Sequence, residues 1–431
     1  MKEMLYPPFV QWEVTSKCNH NCVHCYNYWR KDSNECSETA EHITIAKKII
    51  EQKPISVVIT GGEPLIVFDS IKESMKLLKS NGISISINTN AVLVTDEIAE
   101  FLHTMNASAF VSLPCSEEDI CDQITNVEGS LKRISKGIRV LMNHGVPVTV
   151  NMVVSKRNLN YIYDTAKYAI EILKVSRFFA SRVSKPINSD KEFIKELLNK
   201  EEVTIVYKEL SRISEELGVH TETSTPMPVC LFTDEKLFDK FAYSKSCSAG
   251  KTSYGLDCLG NIKACPRDIK SYGNILTDDF NEVWKKMSDW REEKYLPNEC
   301  ELCNVKNLCK GGCRLDSFPI TGERNSLDPV TCLENLPVKF KKIDNKKCFS
   351  MEEYFFIMKD IKFVKEKYGW RVNNGRKFVA ITEELKEFLT SHKKFSIKDF
   401  MNAYGVEYSL ANDVVNVLFA KNIISICKTD K

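Results

Sequence analysis

The chain has 431 residues, too many for one compact core, so two or three domains are expected. Hydrophobic residues make up 43%, charged residues 27%, and the formal net charge is +2, an ordinary globular balance that gives no electrostatic reason to expect a nucleic acid or an anionic membrane as partner. No apolar run reaches the roughly 18–20 residues of a membrane helix. Residues 1–14, MKEMLYPPFVQWEV, carry no apolar segment ahead of a small-residue cleavage site, so a cytoplasmic protein is expected. The anomaly is cysteine, 17 in all; a chain kept in reducing surroundings uses clustered thiols for metal rather than for disulfides. Outside the clusters, Cys36, Cys115, Cys121, Cys348 and Cys427 read as small buried hydrophobes.

From residue 9 to about 185, short β-rich runs alternate with helical patterns. The expected strands are FVQWEV (9–14), ISVVIT (55–60), ISISIN (83–88), SAFVSL (108–113), PVTVNMVV (147–154) and VSRFFAS (175–181). Helical patterns such as 38–52 and 70–82 lie between them, the latter closed by a glycine. Strands alternating with helices mean an α/β fold with a parallel sheet, and right-handed crossovers curl it into a partial or full barrel. Chemistry in such folds gathers at the C-terminal strand ends. That places Cys18, Cys22 and Cys25, then Gly61 to Pro64, Asn88 and Asn90, Ser112 and Asn151 at one mouth. Residues 190–217 read as one long helix, and TSTPMPV (223–229) marks a boundary. Residues 230–332 are rich in cysteine and turns, and the composition changes again after about 350.

The loop after the first strand reads KCNHNCVHCY (17–26), with Cys18, Cys22 and Cys25 spaced C-x3-C-x2-C. Three thiolates with His20 or His24 would suit a Cys3His zinc site, but structural zinc normally draws paired ligands from two elements, and here one loop carries all three. A [4Fe–4S] cubane accounts better for the count: each of its four irons takes one outside ligand, so three cysteines leave one iron open. After the second strand comes TGGEP (60–64), which by itself is an ordinary glycine turn. Taken together and in this order, the two motifs, with Tyr26 after the last cysteine, resemble the radical S-adenosylmethionine (SAM) superfamily.

The resemblance implies a partial (β/α)6 TIM-like barrel. It implies that SAM binds the open iron and that one electron splits it into methionine and a 5′-deoxyadenosyl radical, which abstracts hydrogen from an unactivated carbon. It also implies that the backbone of Gly61 and Gly62 approaches the methionine part of SAM, with Glu63 near its ammonium group, Pro64 completing the motif, and Ser112 and Asn151 facing ribose or methionine. Many members carry a SAM-binding arginine after Ser-Leu-Asp-Gly; this chain reads SLPCSEEDICDQI (112–124), so that arginine has no counterpart.

Cys247-x12-Gly260-x4-Cys265, then Cys300-x2-Cys303-x5-Cys309-x3-Cys313 and later Cys332, resembles the SPASM extension of the same superfamily. A zinc ribbon would account for the 300–313 stretch alone but predicts neither Gly260 nor its spacing to Cys265. The resemblance implies two auxiliary [4Fe–4S] clusters: Cys247, Cys265 and Cys313 on the first, and Cys300, Cys303, Cys309 and Cys332 on the second. The first lacks a fourth ligand, for which Cys230 is the favoured candidate and Cys258 the other. Asp257, Arg267, Asp268 and Asp316, near these cysteines, read as structural or solvated charges. No general acid or base is identified.

Residues 361–426 hold two or three short strands with an Asn-Gly hairpin signal in VNNGRKF, then helical stretches near 382–391, 396–403 and 409–420. This winged-helix-like α+β module resembles the leader-recognition domains of peptide-modifying radical SAM enzymes, although in many of these it is N-terminal. The expected domains are therefore a radical SAM core at 1–220, a SPASM domain at 221–345 and a leader-recognition module at 350–431. The expected function is modification of a ribosomally made precursor peptide, bound through its leader segment, by a thioether or carbon–carbon crosslink or by epimerisation. An external one-electron donor of the flavodoxin or ferredoxin type is implied. Sulfatase maturation and modified-tetrapyrrole chemistry are the alternatives within the superfamily, and a non-catalytic iron–sulfur or zinc peptide scaffold is the alternative outside it.

Overall fold

The computed structural model describes residues 7–26, 39–243, 246–340, 347–366 and 369–427. It divides into two units, Phe9–Glu51 with Val57–Lys341, and Met1–Pro8 with Gln52–Ser56 and Lys342–Lys431.

The larger unit contains the expected strands as β1 (Phe9–Glu13), β2 (Ser56–Thr60), β3 (Ser84–Thr89), β4 (Ser108–Ser112), β5 (Val148–Val154) and β6 (Arg177–Arg182). The sequence reading missed β7 (His220–Glu222), β8 (Ser253–Leu256), β9 (Asn261–Lys263) and β10 (Ser271–Asn274). All ten form one sheet in the order β10-β9-β8-β1-β2-β3-β4-β5-β6-β7. Neighbours from β3 to β7 run parallel, as expected of an α/β partial barrel. β8 adds to the other side of β1, also parallel, with Phe9 opposite Ser253 and Trp12 opposite Leu256. β9 and β10 follow antiparallel. The sheet therefore runs across the boundary expected near residue 221, and the cysteine-rich segment continues it.

Side chains alternate between faces along a strand. On β1 and β5 one face carries Val10 and Trp12, and Val148, Val150, Met152 and Val154, all buried in the main apolar core. Gln11 and Glu13, and Thr149 and Asn151, occupy the opposite face, so the apolar side takes the helices and the polar side is left for a ligand. Helix Phe68–Ser80 shows the matching helical period, burying Phe68, Ile71, Met75 and Leu78. The helix expected over 190–217 is two pieces: a 3-10 turn Lys191–Glu196 started by the Asp190 side chain, and an α-helix Lys200–Glu216 started by an Asn199–Glu202 capping box. No helix among the described residues is long and apolar enough to cross a membrane.

The smaller unit holds β11 (Tyr354–Ile357), β12 (Lys362–Glu366), β13 (Gly369–Asn374), β14 (Lys377–Ile381), β15 (Lys394–Ser396) and β16 (Ile424–Ile426), with helices Glu383–Ser391, Ile397–Tyr404 and Tyr408–Ala420. Its sheets are β15-β11-β16 and β12-β13-β14. The β13–β14 turn is Gly375-Arg376 rather than Asn-Gly, because Asn374 pairs with Lys377; Gly375 supplies the positive φ of 53°. Phe355, Phe388, Phe395 and Phe400 form its core with ring centroids 5.1–6.4 Å apart. Such aromatic pairs contribute about 0.5–1.5 kcal/mol each beyond area burial. Cys115 and Cys121 are buried as expected, whereas Cys348 is exposed and Cys427 partly exposed; Cys36 lies outside the described residues.

Candidate functional site

Where β1 and β2 end, the two chains stay together. Val14 N donates to Thr60 O at 2.9 Å, Gly62 N to Thr15 O at 2.7 Å and Glu63 N to Lys17 O at 2.8 Å. A Cβ on Gly61 would lie 2.3 Å from Thr15 O, and one on Gly62 2.0 Å from Lys17 O. The space these glycines leave is thus filled by the stem of the cysteine loop. The close approach is backbone on backbone, and it fixes where Cys18 begins. Gly62→Ala is accordingly expected to push the loop off the sheet and cost about 1–3 kcal/mol, the usual scale of overpacking. Denaturant titration checks this, and an unchanged midpoint would refute the contact.

The rest of the loop is tied down independently of any metal. Asn21 N and Val23 N donate to Thr125 O and Ile124 O at 3.0 and 2.9 Å, and Asn126 Nδ2 donates to Asn21 O at 2.7 Å. Asn90 Nδ2 donates to Asn19 Oδ1 at 2.6 Å. Cys18, Cys22 and Cys25, all partly exposed, are held on this frame. His24 is kept neutral by burial, which lowers its pKa to about 4 despite nearby Glu196.

Glu63 turns inward. It is 1% exposed, and its carboxylate accepts from Thr89 Oγ1 and Asn90 N at 2.7 Å each and from Leu65 N at 3.1 Å. Burial raises its pKa to about 7 against the opposing pull of those three bonds. Glu63 joins the ends of β2 and β3, and through Asn90 it positions Asn19 inside the cysteine loop. Pro64 opens the 3-10 turn that follows. Ser112 lies opposite Asn151 in the β4–β5 register and is exposed. Asn151 is buried, its Oδ1 accepting from Ser181 Oγ at 3.0 Å, and Ser181 meets Ser224 Oγ at 2.5 Å. A polar rim thus follows the C-terminal ends of β4 to β6.

Two buried charge groups escaped the sequence reading. Glu13, at the end of β1, is fully buried; burial raises its pKa, and Lys263 on β9 is the cation that counters this. Lys263 Nζ lies 3.6 Å from Asp257, and Tyr26 Oη 3.5 Å from Glu13 Oε1. Among the described residues Glu13 Oε2 accepts no hydrogen bond, a buried acceptor beside the cysteine loop that suits a donor on a bound molecule. The second group centres on Arg182, which ends β6. It pairs with both oxygens of Asp328 at 2.8 and 2.6 Å and with Asp316 at 2.6 Å. Arg267 meets Asp316 at 2.7 Å, and its other arm reaches Cys313 Sγ at 3.5 Å. Asp328 also accepts from Cys313 N at 2.8 Å. Burial works against the Asp316 charge, but Arg182 and Arg267 outweigh it and hold its pKa at about 2. Asp316 and Arg267 are therefore structural charges; nothing in sequence signalled Arg182 or Asp328 beyond their being charged.

The remaining cysteines form two neighbourhoods. Cys247 acts electrostatically on both Cys265 and Cys313. Cys230, Cys300, Cys303 and Cys309 line a single cavity. Cys230, the favoured candidate for the fourth ligand beside Cys247, Cys265 and Cys313, lies beside the other group. Its 3-10 turn, Val229–Leu231, is bound to the other group: Val229 N donates to Cys309 Sγ and Cys332 N to Cys230 Sγ, each at 3.3 Å. Cys258 is buried in the turn between β8 and β9. Burial raises the thiol pKa of Cys230 and Cys265 to about 12 and of Cys300 to about 11, so metal loading must displace protons there.

Among the described residues no group of three or more His, Cys, Asp or Glu side chains is arranged to hold a metal ion. Thiols that each bind a different iron of one cubane do not converge on a point, so this bears on mononuclear sites. The donor chemistry, thiols only and gathered in small sets, fits iron–sulfur clusters.

Residues 12–169 match the model of the Radical SAM superfamily. An AdoMet-dependent heme synthase of Methanosarcina barkeri is 25% identical over 353 residues, 75% of this chain and 95% of that protein. The mycofactocin maturase MftC of Mycobacterium tuberculosis is 24% identical over 332 residues, 72% of this chain and 79% of its own. Among solved structures, Streptococcus suis SuiB bound to precursor peptide SuiA superposes with a TM-score of 0.61 at 19% identity, covering 75% of each chain. anSMEcpe with bound AdoMet and the Cp18Cys peptide gives 0.60 at 18%, covering 75% of this chain and 93% of that one. At these identities the two structures establish a shared fold.

Proposed function

We propose that this chain, which belongs to the radical SAM superfamily, uses its radical chemistry to modify a ribosomally made precursor peptide. A cluster held by Cys18, Cys22 and Cys25, when bound, supplies the electron that cleaves SAM to methionine and a 5′-deoxyadenosyl radical. The cysteine loop is fixed by the ladder to Gly62 and Glu63 and by the Asn90–Asn19 bond, so its thiols stand ready before metal arrives. Ser112, Asn151 and the unmatched Glu13 oxygen line the polar face where SAM would lie. Cys247, Cys265 and Cys313, and the set around Cys300, Cys303 and Cys309, would hold auxiliary clusters that carry electrons from a flavodoxin- or ferredoxin-type donor or accept them from the substrate.

The peptide reading is carried by the smaller unit. β12 and β14 each pair only with β13 among the described residues, so the three-stranded sheet keeps two edges on which an extended leader can add as a further strand. SuiB and MftC, a peptide-bound fold neighbour and a maturase relative, agree with it. The tetrapyrrole reading stands second, supported by the heme synthase relatives, one of which is matched over 95% of its length.

Removing residues 347–431 tests the choice. Deoxyadenosine formation without substrate is expected to persist, while affinity for a labelled precursor and its turnover fall about a hundredfold or more, because a tethered leader raises the local concentration of its core. A leaderless core should be turned over equally by both forms. Equal precursor affinity before and after truncation would reject the leader-binding role and leave the tetrapyrrole reading.

A further inference from the structure

The expected ligand set of the second auxiliary site is Cys300, Cys303, Cys309 and Cys332, yet a fifth cysteine lies among them. The cavity there is lined by Cys230, Cys300, Cys303 and Cys309, and by Thr331 and Leu333 but not Cys332. The Cys332 Sγ lies 3.7 Å from Val330 O, and the charges acting on it are those of Lys200, Glu334 and Glu201. Those acting on Cys230 are the thiols of Cys309, Cys332 and Cys300.

The backbone makes the arrangement specific. Val229 N donates to Cys309 Sγ at 3.3 Å, Cys332 N to Cys230 Sγ at 3.3 Å, and Asn335 Nδ2 to Cys230 O at 2.8 Å. The 3-10 turn carrying Cys230 is thereby fastened on both sides. An N–H aimed at Cys230 Sγ stabilises the thiolate that metal binding requires. The main chain of residue 332 therefore serves as a donor to the ligand sulfur, in place of its own thiol serving as the ligand. The four thiols of the cavity are one for each iron of a cubane, so Cys332 has no iron left to take.

We infer that Cys230, with Cys300, Cys303 and Cys309, holds the second auxiliary cluster, and that Cys332 stands outside it as a backbone donor. On binding, the Cys230 thiol loses its proton to solvent and gains a bond to iron, with no change in oxidation state. This inference rests on the auxiliary-cluster reading above, and the test separates the two.

Full-length protein is loaded anaerobically with iron and sulfide, and the reduced clusters are followed by electron paramagnetic resonance through a redox titration. Two single variants mark the signals: Cys265→Ser for the first auxiliary cluster and Cys303→Ser for the second. Cys230→Ser, which replaces one sulfur ligand by oxygen, is expected to move the signal and midpoint potential that Cys303→Ser moves and to leave the Cys265→Ser signal in place. The retained first-cluster signal also shows that the variant folds. Cys332→Ala is expected to keep the full iron content. The inference is overturned if Cys230→Ser moves the first cluster or neither, or if Cys332→Ala loses about four irons per chain. If the wild-type chain shows no second auxiliary signal and Cys303→Ser changes nothing, the auxiliary-cluster reading itself fails and this inference with it.

Discussion

Chains in which Cys18, Cys22 and Cys25 are replaced by alanine are expected to form no 5′-deoxyadenosine above background while losing only about four irons per chain, one cubane's worth. The fold should survive. The loop is held by Asn21 N to Thr125 O, Val23 N to Ile124 O, the Asn90–Asn19 bond and the ladder to Gly62 and Glu63, none of which uses a thiol. Hydrogen bonds of this kind contribute about 0.5–1.5 kcal/mol each, enough together to hold a short loop on a sheet. Iron analysis, product chromatography and thermal melting of the triple variant check all three parts. Deoxyadenosine at the wild-type rate would remove these cysteines from the reaction.

The second large effect is expected at Arg182. Its side chain and those of Asp316 and Asp328 are at most 5% exposed, and it is the cation shared by both carboxylates. Arg182→Met keeps much of the volume but leaves Arg267 alone against two buried acids. Breaking a buried ion pair from one side costs about 3–5 kcal/mol, because the stranded charge has no water to return to. Asp328 also receives Cys313 N, so the damage should reach the first auxiliary site as lost iron. Acid sensitivity gives an independent check. The folded pKa of Asp316 is about 2 against an ordinary 3.8, so its contribution is complete above about 3.8 and is lost as pH falls toward 2. With Arg182 gone, Asp316 is held down by Arg267 alone, and that acid limb should become shallower. Denaturant titrations of both chains between pH 2 and 6 measure it; equal stability and equal slopes would show that the network carries no energy.

The strands of the barrel were legible because each is a short run of mostly apolar or alternating residues set between helical patterns, as in SVVIT before Gly61-Gly62. β8 to β10 were not, since SYGL, NIK and SYGN are short and carry little of the apolar alternation; what makes β8 a strand is β1 beside it. The division of the 190–217 helix was present in the sequence, as Asn199 followed three residues later by Glu202, but the continuing helical pattern masked it. Motif positions along the chain were readable, whereas the direction of each side chain was not. Glu63 sits where the motif puts it yet turns inward to Asn90, and Cys230 lies far in sequence from Cys300 and Cys309 although packed with them. Such outcomes depend on which backbone donors the fold happens to aim at a residue, and spacing does not encode that.

The place of β8 beside β1 also bears on how the chain is made. β1 leaves the ribosome long before β8, the strand that completes its outer side and ends at Leu256. At about 5–20 residues per second the wait is on the order of ten seconds or more. Throughout that interval β1 presents a bare edge, with the cysteine loop at its end, to any other nascent strand. Native closure requires pairing between distant parts of the chain, which makes folding slow and aggregation a competing route. A product ending before residue 253 keeps the signature motifs yet leaves that edge open. Soluble yield should therefore rise sharply once the chain extends past Leu256, whether or not the later cysteines are intact.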